Sequence, residues 1–321
     1  MMYEAIRDFA KQLAFIPKIE NERKQHRYEK YVVAGMGGSH LAGDVFRALD
    51  TALPLVIHSD YGLPVTAKKD RKNTLVIASS YSGNTEETLD AFALARKMNL
   101  ATLTIATGGT LLAKTKKFGL PYVRLPVTGI QPRSAMGFSF RALAAALHRH
   151  DFLRESLALS KKLKPLSYRA HGKKLAKLLH GAIPLLYSSF RNQPIIYNWK
   201  IKFNETGKIP AFYNVVPELN HNEMTGFDIV RTTKSLSSKL HVLLMHDKED
   251  HPQVERRLKT IEKLYMSRGL PVTNLELTGK TRLEKIFISI ITADWTALET
   301  AEGYGVDADE VPMVEEFKKL I

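Results

Sequence analysis

The chain has 321 residues, 44% of them hydrophobic and 25% charged, with no cysteine and a formal net charge of +14. That length holds two domains of ordinary size, and the missing cysteines exclude disulfides, thiolate nucleophiles and Cys-ligated zinc, as suits a cytoplasmic protein. No apolar run reaches the length of a membrane span, so no membrane partner is expected. The charge is concentrated: between Ala91 and Asn204 twenty Lys and Arg stand against two acids, Asp151 and Glu155. Such a span fits an anionic ligand or an ordinary solvated basic surface. Zinc-finger spacing, an aromatic RNA-binding motif and a helix-turn-helix are all missing, and no nucleic acid is expected.

Residues 1–22 mix Glu4, Arg7, Asp8 and Lys11 among apolar side chains and read as one amphipathic helix, not a signal peptide. A short apolar strand over 31–34 runs into Gly35-Met36-Gly37-Gly38-Ser39, and a helix follows over 41–49. This glycine turn is neither a dinucleotide fingerprint nor a Walker loop: the spacing is wrong for both, and no acidic ribose partner or Gly-Lys-Ser/Thr ending follows. Further strands are predicted over 55–57, 74–78, 103–105 and 121–123. The strand over 74–78 feeds Ser79-Ser80-Tyr81-Ser82-Gly83-Asn84-Thr85, with a helix over 89–96 beyond. Here Gly83 permits a tight turn and Asn84 reads as the helix cap. Hydroxyls and backbone N–H groups at a helix N-terminus make an anion site; the same residues also describe a plain capped turn. Gln131-Pro132-Arg133-Ser134 then precedes a helix ending near 147, and Arg133 is either a surface residue or a fork for a phosphate.

Residues 151–172 are polar, basic and mostly helical, with Pro165 as a breaker, and read as a connection between domains. Strands over 183–187, 211–213, 241–245 and 272–277 then alternate with helices over 193–204, 254–268, 283–302 and 310–321. Alternation of this kind means a parallel, doubly wound sheet in each half, with ligands outside the carboxyl ends of the strands. The second half offers Glu205 near a helix end and His221 in the polar turn Glu218-Leu219-Asn220-His221-Asn222-Glu223. Both residue types suit acid–base chemistry, and both are also ordinary surface residues.

Taken together, Gly35 to Ser39, Ser80 to Thr85, Pro132-Arg133-Ser134, Trp199 to Lys208, Glu218 to Glu223 and the tail from Gly305 to Lys318 resemble the bifunctional phosphoglucose/phosphomannose isomerases. That family is built from sugar isomerase (SIS) domains. The resemblance implies an α/β fold of two SIS-type subdomains, divided here at 1–150 and 151–321. It implies an enzyme that interconverts fructose 6-phosphate with glucose 6-phosphate and mannose 6-phosphate through a cis-enediol, with no metal or cofactor. By the same resemblance, Gly38, Ser39, Ser80, Ser82 and Thr85 would hold the sugar phosphate. Arg133 would stabilise the enediolate, Glu205 would move the proton, and His221 and Lys318 would assist ring opening. A homodimer with shared active sites is also implied, His221 reaching in from the partner. The chain departs from the family at His40, where glycine is usual, at Thr206-Gly207, where Asn-Ala is usual, and at Val311, where some relatives carry Thr. Because SIS domains also serve as non-catalytic sugar-phosphate sensors, and as isomerases of other sugar phosphates, those readings stand beside the first.

Overall fold

The computed structural model describes residues 1–22, 28–64 and 68–320; Ile321, the last position of the expected C-terminal helix, lies outside them. Contacts divide the chain into two compact units, Arg7–Leu163 and Met1–Ile6 with Lys164–Ile321. The contact boundary follows the helix His150–Ser160, whereas the sequence reading divides the chain at 150/151.

The amphipathic helix expected over 1–22 is instead two short helices, α1 (Met2–Arg7) and α2 (Phe9–Gln12), followed by a strand, β1 (Ile19–Glu20). The break falls at Asp8, whose carboxylate binds Arg7 and Lys11, and the chain then becomes an edge strand paired antiparallel with Tyr122 and Val123.

The first unit continues with β2 (Lys30–Ala34), α3 (Leu41–Leu49), β3 (Leu55–His58), β4 (Thr74–Ser79), α4 (Glu86–Lys97), β5 (Ala101–Ala106), α5 (Gly109–Lys117), β6 (Tyr122–Arg124), α6 (Met136–Ala146) and α7 (His150–Ser160). Its sheet has the order β1-β6-β5-β4-β2-β3, and every pair but β1 with β6 is parallel. All six residues of the central strand β4 are buried. A strand covered on both faces needs a continuous apolar run, and Leu75-Val76-Ile77-Ala78 supplies it. Glu86 and Glu87 open α4 while Arg96 and Lys97 close it, matching the helix dipole at both ends.

The second unit holds α8 (Arg169–Leu178), β7 (Ile183–Ser189), α9 (Gln193–Glu205), β8 (Phe212–Val216), β9 (Leu240–His246), α10 (Pro252–Ser267), β10 (Val272–Glu276), α11 (Arg282–Tyr304) and α12 (Pro312–Leu320). Its sheet is wholly parallel, in the order β10-β9-β7-β8. The first sheet contains the same order as β5-β4-β2-β3, so the two halves share a topology without a repeat in their residues. In both, the strand order reverses between the first and third strands, the crevice where ligands of open α/β sheets bind. Helix α11 is the hub of the second unit, buried at every residue from Lys285 to Ala301 and packed on α8 and α9. Thr281 caps its N-terminus by accepting from the Glu284 N–H, and Gly305, in the left-handed conformation, ends it.

Most Lys and Arg of the basic span are exposed, as on a solvated basic surface, and a few are used inside the fold. Arg141 donates to the carbonyls of Phe15 and Leu153 and to Ser156, Arg149 pairs with Asp50 and Asp151, and Lys202 forms a buried pair with Asp294 at 2.6 Å. No helix among the described residues is long and apolar enough to cross a membrane.

Candidate active site

In the first unit the hydroxyl turns lie at the carboxyl ends of β2 and β4, adjacent parallel strands on either side of the strand-order reversal. They are laced together. The Ser79 hydroxyl donates to the Ser39 carbonyl at 2.8 Å, and the Ser39 Oγ accepts the Tyr81 N–H at 2.9 Å. The Ser39 O–H is thereby left to donate elsewhere. Ser80 Oγ accepts from the Gly83 N–H and bonds the Thr85 hydroxyl at 2.8 Å, while Ser82 Oγ accepts from the Asn84 N–H. No described residue accepts from the N–H of Ser82 or of Thr85. Two unused donors and a rim of hydroxyls at the N-terminus of a twelve-residue helix are what an oxyanion requires.

Asn84 does not cap the helix that follows it. Thr85 holds the cap position of α4 without accepting a capping bond on its side chain, and Asn84 Oδ1 accepts instead from the Thr110 N–H, in the first turn of α5. The reason is close packing of two turns. Gly83, at φ +76°, lies so near Gly108 that a Cβ on it would stand 1.9 Å from the Gly108 carbonyl oxygen, and the Leu111 N–H donates to the Gly83 carbonyl. Gly83 and Asn84 therefore buttress the turn from behind with the next βα loop.

Arg133 comes to the same place. Gly38 abuts the turn that carries it: a Cβ on Gly38 would stand 2.7 Å from the Arg133 nitrogen. The Arg133 side chain is buried, at 1% exposure. Its turn is pinned from the other side by Gln12, which donates to the Ser134 carbonyl and accepts from the Gly137 N–H. Gln12 is a support that the sequence hides, being one polar residue of a short helix more than a hundred positions away. His40, the departure from the family's glycine, is also buried; its Nδ1 bonds Asp44 Oδ2 at 2.7 Å, one turn along α3.

In the second unit Glu205 is the last residue of α9 and half-buried. The helix end is tied off on three sides. Asn204 Nδ2 donates to the Ile209 carbonyl, and the Gly207 N–H donates to the Lys202 carbonyl. Lys208, at φ +56°, turns its ammonium onto the carbonyls of Glu205 and Glu310. A cation on the last carbonyls of a helix is favourable, and here it also joins the Glu205 backbone to the segment leading into α12. The Thr206-Gly207 variation is thus compatible with a firmly held helix end.

His221 lies on the 3₁₀ turn Glu218–His221 beyond β8, exposed, with no side-chain hydrogen bond to any described residue. Lys318 lies on α12, exposed, bonded to Glu315 at 2.7 Å. The structure thus gathers Gly38, Ser39, Ser80, Ser82, Thr85 and Arg133 into one cluster in the first unit. In the second it joins the Glu205 backbone to the α12 segment, and it draws no hydrogen bond from His221 or Lys318 to Glu205. Among the described residues, no three His, Asp or Glu side chains converge as a metal site.

A family model for the bacterial phospho-glucose isomerase C-terminal SIS domain matches residues 169–321. The bifunctional phosphoglucose/phosphomannose isomerase of Caldicellulosiruptor bescii is 33% identical, the match covering 93% of this chain and 91% of the relative. The enzyme of the same name from Aquifex aeolicus is 32% identical, covering 91% and 90%. In fold, the chain is similar to the C-terminal domain of a glucosamine-fructose-6-phosphate aminotransferase from Francisella tularensis, with a TM-score of 0.66 at 13% identity, over 97% of this chain and 96% of that one. Identity of that level along nearly the whole length, in a chain whose hydroxyl turns and arginine converge as described, leaves one assignment: the protein belongs to the bifunctional phosphoglucose/phosphomannose isomerase family.

Proposed function

We propose that this protein is an aldose–ketose isomerase interconverting fructose 6-phosphate with glucose 6-phosphate and mannose 6-phosphate. The observation that carries the proposal is the built anion cradle. Ser39, Ser80, Ser82 and Thr85 surround two unused N–H groups, and the buried Arg133 is held against that cradle by Gly38. The phosphate binds in the cradle and contributes affinity without taking part in the chemistry. Glu205 takes a proton from carbon 1 of the open-chain ketose, and the electron pair left behind moves toward the carbonyl to give a cis-enediolate. Arg133 stabilises the negative oxygen. Returning the proton to carbon 2 of either face gives glucose or mannose 6-phosphate, so one base serves both products. His221 and Lys318 exchange protons with the ring oxygen and the carbon-1 or carbon-2 hydroxyl during ring opening. The step needs a base and a charge stabiliser and consumes no cofactor or metal.

The ring of His221, exposed and with no hydrogen bond to any described residue, supports a homodimer in which that side chain completes the partner's site. So does α12, where Met313, Phe317 and Leu320 are 81%, 59% and 78% exposed along one stripe. The deciding experiment incubates purified protein with fructose 6-phosphate in a metal chelator and assays both aldoses; absence of either product refutes the dual activity. Mixing Glu205→Gln with His221→Ala chains tests the sharing of sites. Recovery of activity on mixing supports it, and strict inactivity of the mixture rejects it.

A further inference from the structure

The turn that carries His221 is anchored by a carboxylate the reaction itself does not use. Tyr187 on β7 and Asn214 on β8 are register partners across the parallel pair, so their side chains emerge side by side. Tyr187 donates its hydroxyl to Glu223 Oε1, and Asn214 Nδ2 donates to Glu223 Oε2. Both carboxylate oxygens of Glu223 are thereby fixed to the sheet, two residues from His221. The Tyr187 ring is fully buried in the core of the second unit, against Tyr265 at 6.3 Å. Burial pushes its hydroxyl well above the ordinary tyrosine range, the nearby Tyr265 and Glu223 adding to this, so it stays a donor at any working pH.

The rest of the turn is held too. Leu219 is fully buried, Arg257 donates to Asn220 Oδ1 at 3.0 Å, and Asn222 Oδ1 accepts from the Glu223 N–H while its Nδ2 donates to Glu218. Of the six residues from Glu218 to Glu223, only His221 lacks both a side-chain hydrogen bond to a described residue and a place in the core. A rigid backbone under one unrestrained imidazole is what delivers a proton-transfer group to a fixed point at low entropic cost.

We infer that Glu223 is a positioning residue for His221, its carboxylate transferring the order of β7 and β8 to the imidazole that serves ring opening. The inference rests on the ring-opening role of His221, and the test separates the two. Fructose 6-phosphate is cyclic and must be opened. Its 5-deoxy analogue lacks the ring-closing hydroxyl, stays open-chain and needs only proton transfer.

Glu223→Gln sets a carboxamide NH₂ against the Asn214 NH₂. It is expected to lower kcat on fructose 6-phosphate by roughly tenfold, a fraction of what a proton-transfer group contributes, while changing the rate on the open-chain analogue less than about twofold. Adding Asn214→Asp reverses donor and acceptor across the same contact and restores the cyclic rate. Should Glu223→Gln not fold, Tyr187→Phe removes one of the two bonds and is expected to show the same selectivity, to a smaller degree. Equal loss on both substrates, no loss on either, or no rescue by the Asn214→Asp pair overturns the positioning role while His221→Ala still discriminates. If His221→Ala itself slows both substrates equally, the ring-opening reading falls first and the inference with it.

Discussion

Gly83→Ala tests the cradle most directly, because its cost can be worked from the packing. A Cβ at this position would stand 1.9 Å from the Gly108 carbonyl oxygen and 2.8 Å from its carbonyl carbon. Ordinary contact begins at 3.4 Å, so the two turns must part by roughly 1.5 Å, and overpacking against backbone costs about 1–3 kcal/mol. The left-handed φ of +76° adds about 1–2 kcal/mol for an L side chain. Gly37→Ala is the control: its φ is +49° but nothing lies within 4 Å of the new methyl group, so it bears the conformational cost alone. Gly83→Ala is therefore expected to be less stable than Gly37→Ala by about 1–3 kcal/mol. At 2–4 °C per kcal/mol that separates their melting temperatures by roughly 2–12 °C.

Displacing Ser82 and Thr85 by that distance should also remove the hydrogen bonds proposed to a charged phosphate, each worth about 1.5–3 kcal/mol. KM for fructose 6-phosphate is expected to rise at least about tenfold in Gly83→Ala. The assays are thermal unfolding of the two variants side by side and initial rates over a range of substrate. If Gly83→Ala melts with Gly37→Ala and keeps the wild-type KM, the tight apposition of the two turns and the phosphate role of the cradle are both wrong.

Three further outcomes are expected. Glu205→Gln should reduce turnover by several orders of magnitude with little change in KM, since the base is lost and the cradle is intact; near-normal turnover removes Glu205 from the mechanism. Lys202→Met strips a buried Asp294 of its ammonium partner and should cost about 3–5 kcal/mol in urea unfolding, whereas Lys202→Met with Asp294→Leu should recover most of it; equal stability of all three chains refutes this. Burial by itself raises the Asp247 carboxyl, but the Lys285 hydrogen bond, a backbone N–H and Arg282 outweigh it and hold the folded value below the ordinary carboxylate range. The stability it contributes is then complete above the unfolded value near 4 and is lost as pH falls through the lowered folded value. Asp247→Asn should flatten that acid limb, which a pH series of unfolding midpoints will report.

Periodicity and residue chemistry along the chain were enough to place most of the elements. Runs such as Leu75-Val76-Ile77-Ala78 read as buried strands, and their alternation with helical spacing points to a parallel, doubly wound sheet. The helix Leu41–Leu49 was legible to the residue. Hydroxyls and glycines after β2 and β4 were legible as candidate anion turns, beside the plain capped turn, because such chemistry is local: a short chain segment supplies both the backbone shape and the donors. Where the reading missed, the reason is that local rules were outbid by contacts distant in sequence. Asn84 is a good helix cap by propensity, yet its carbonyl is taken by the Thr110 N–H of the neighbouring loop. The N-terminal segment has helical spacing, yet a β1 pairing with β6, about a hundred residues away, straightens its end. Gln12 lies in no motif, and Lys208 and Glu223, although they end two of the stretches that carry the resemblance, have nothing local that marks them as supports. Each works by meeting a backbone or side chain that only the tertiary fold brings within hydrogen-bond reach, and for that reason the groups proposed for the chemistry could be named from the sequence while the groups that hold their backbone could not.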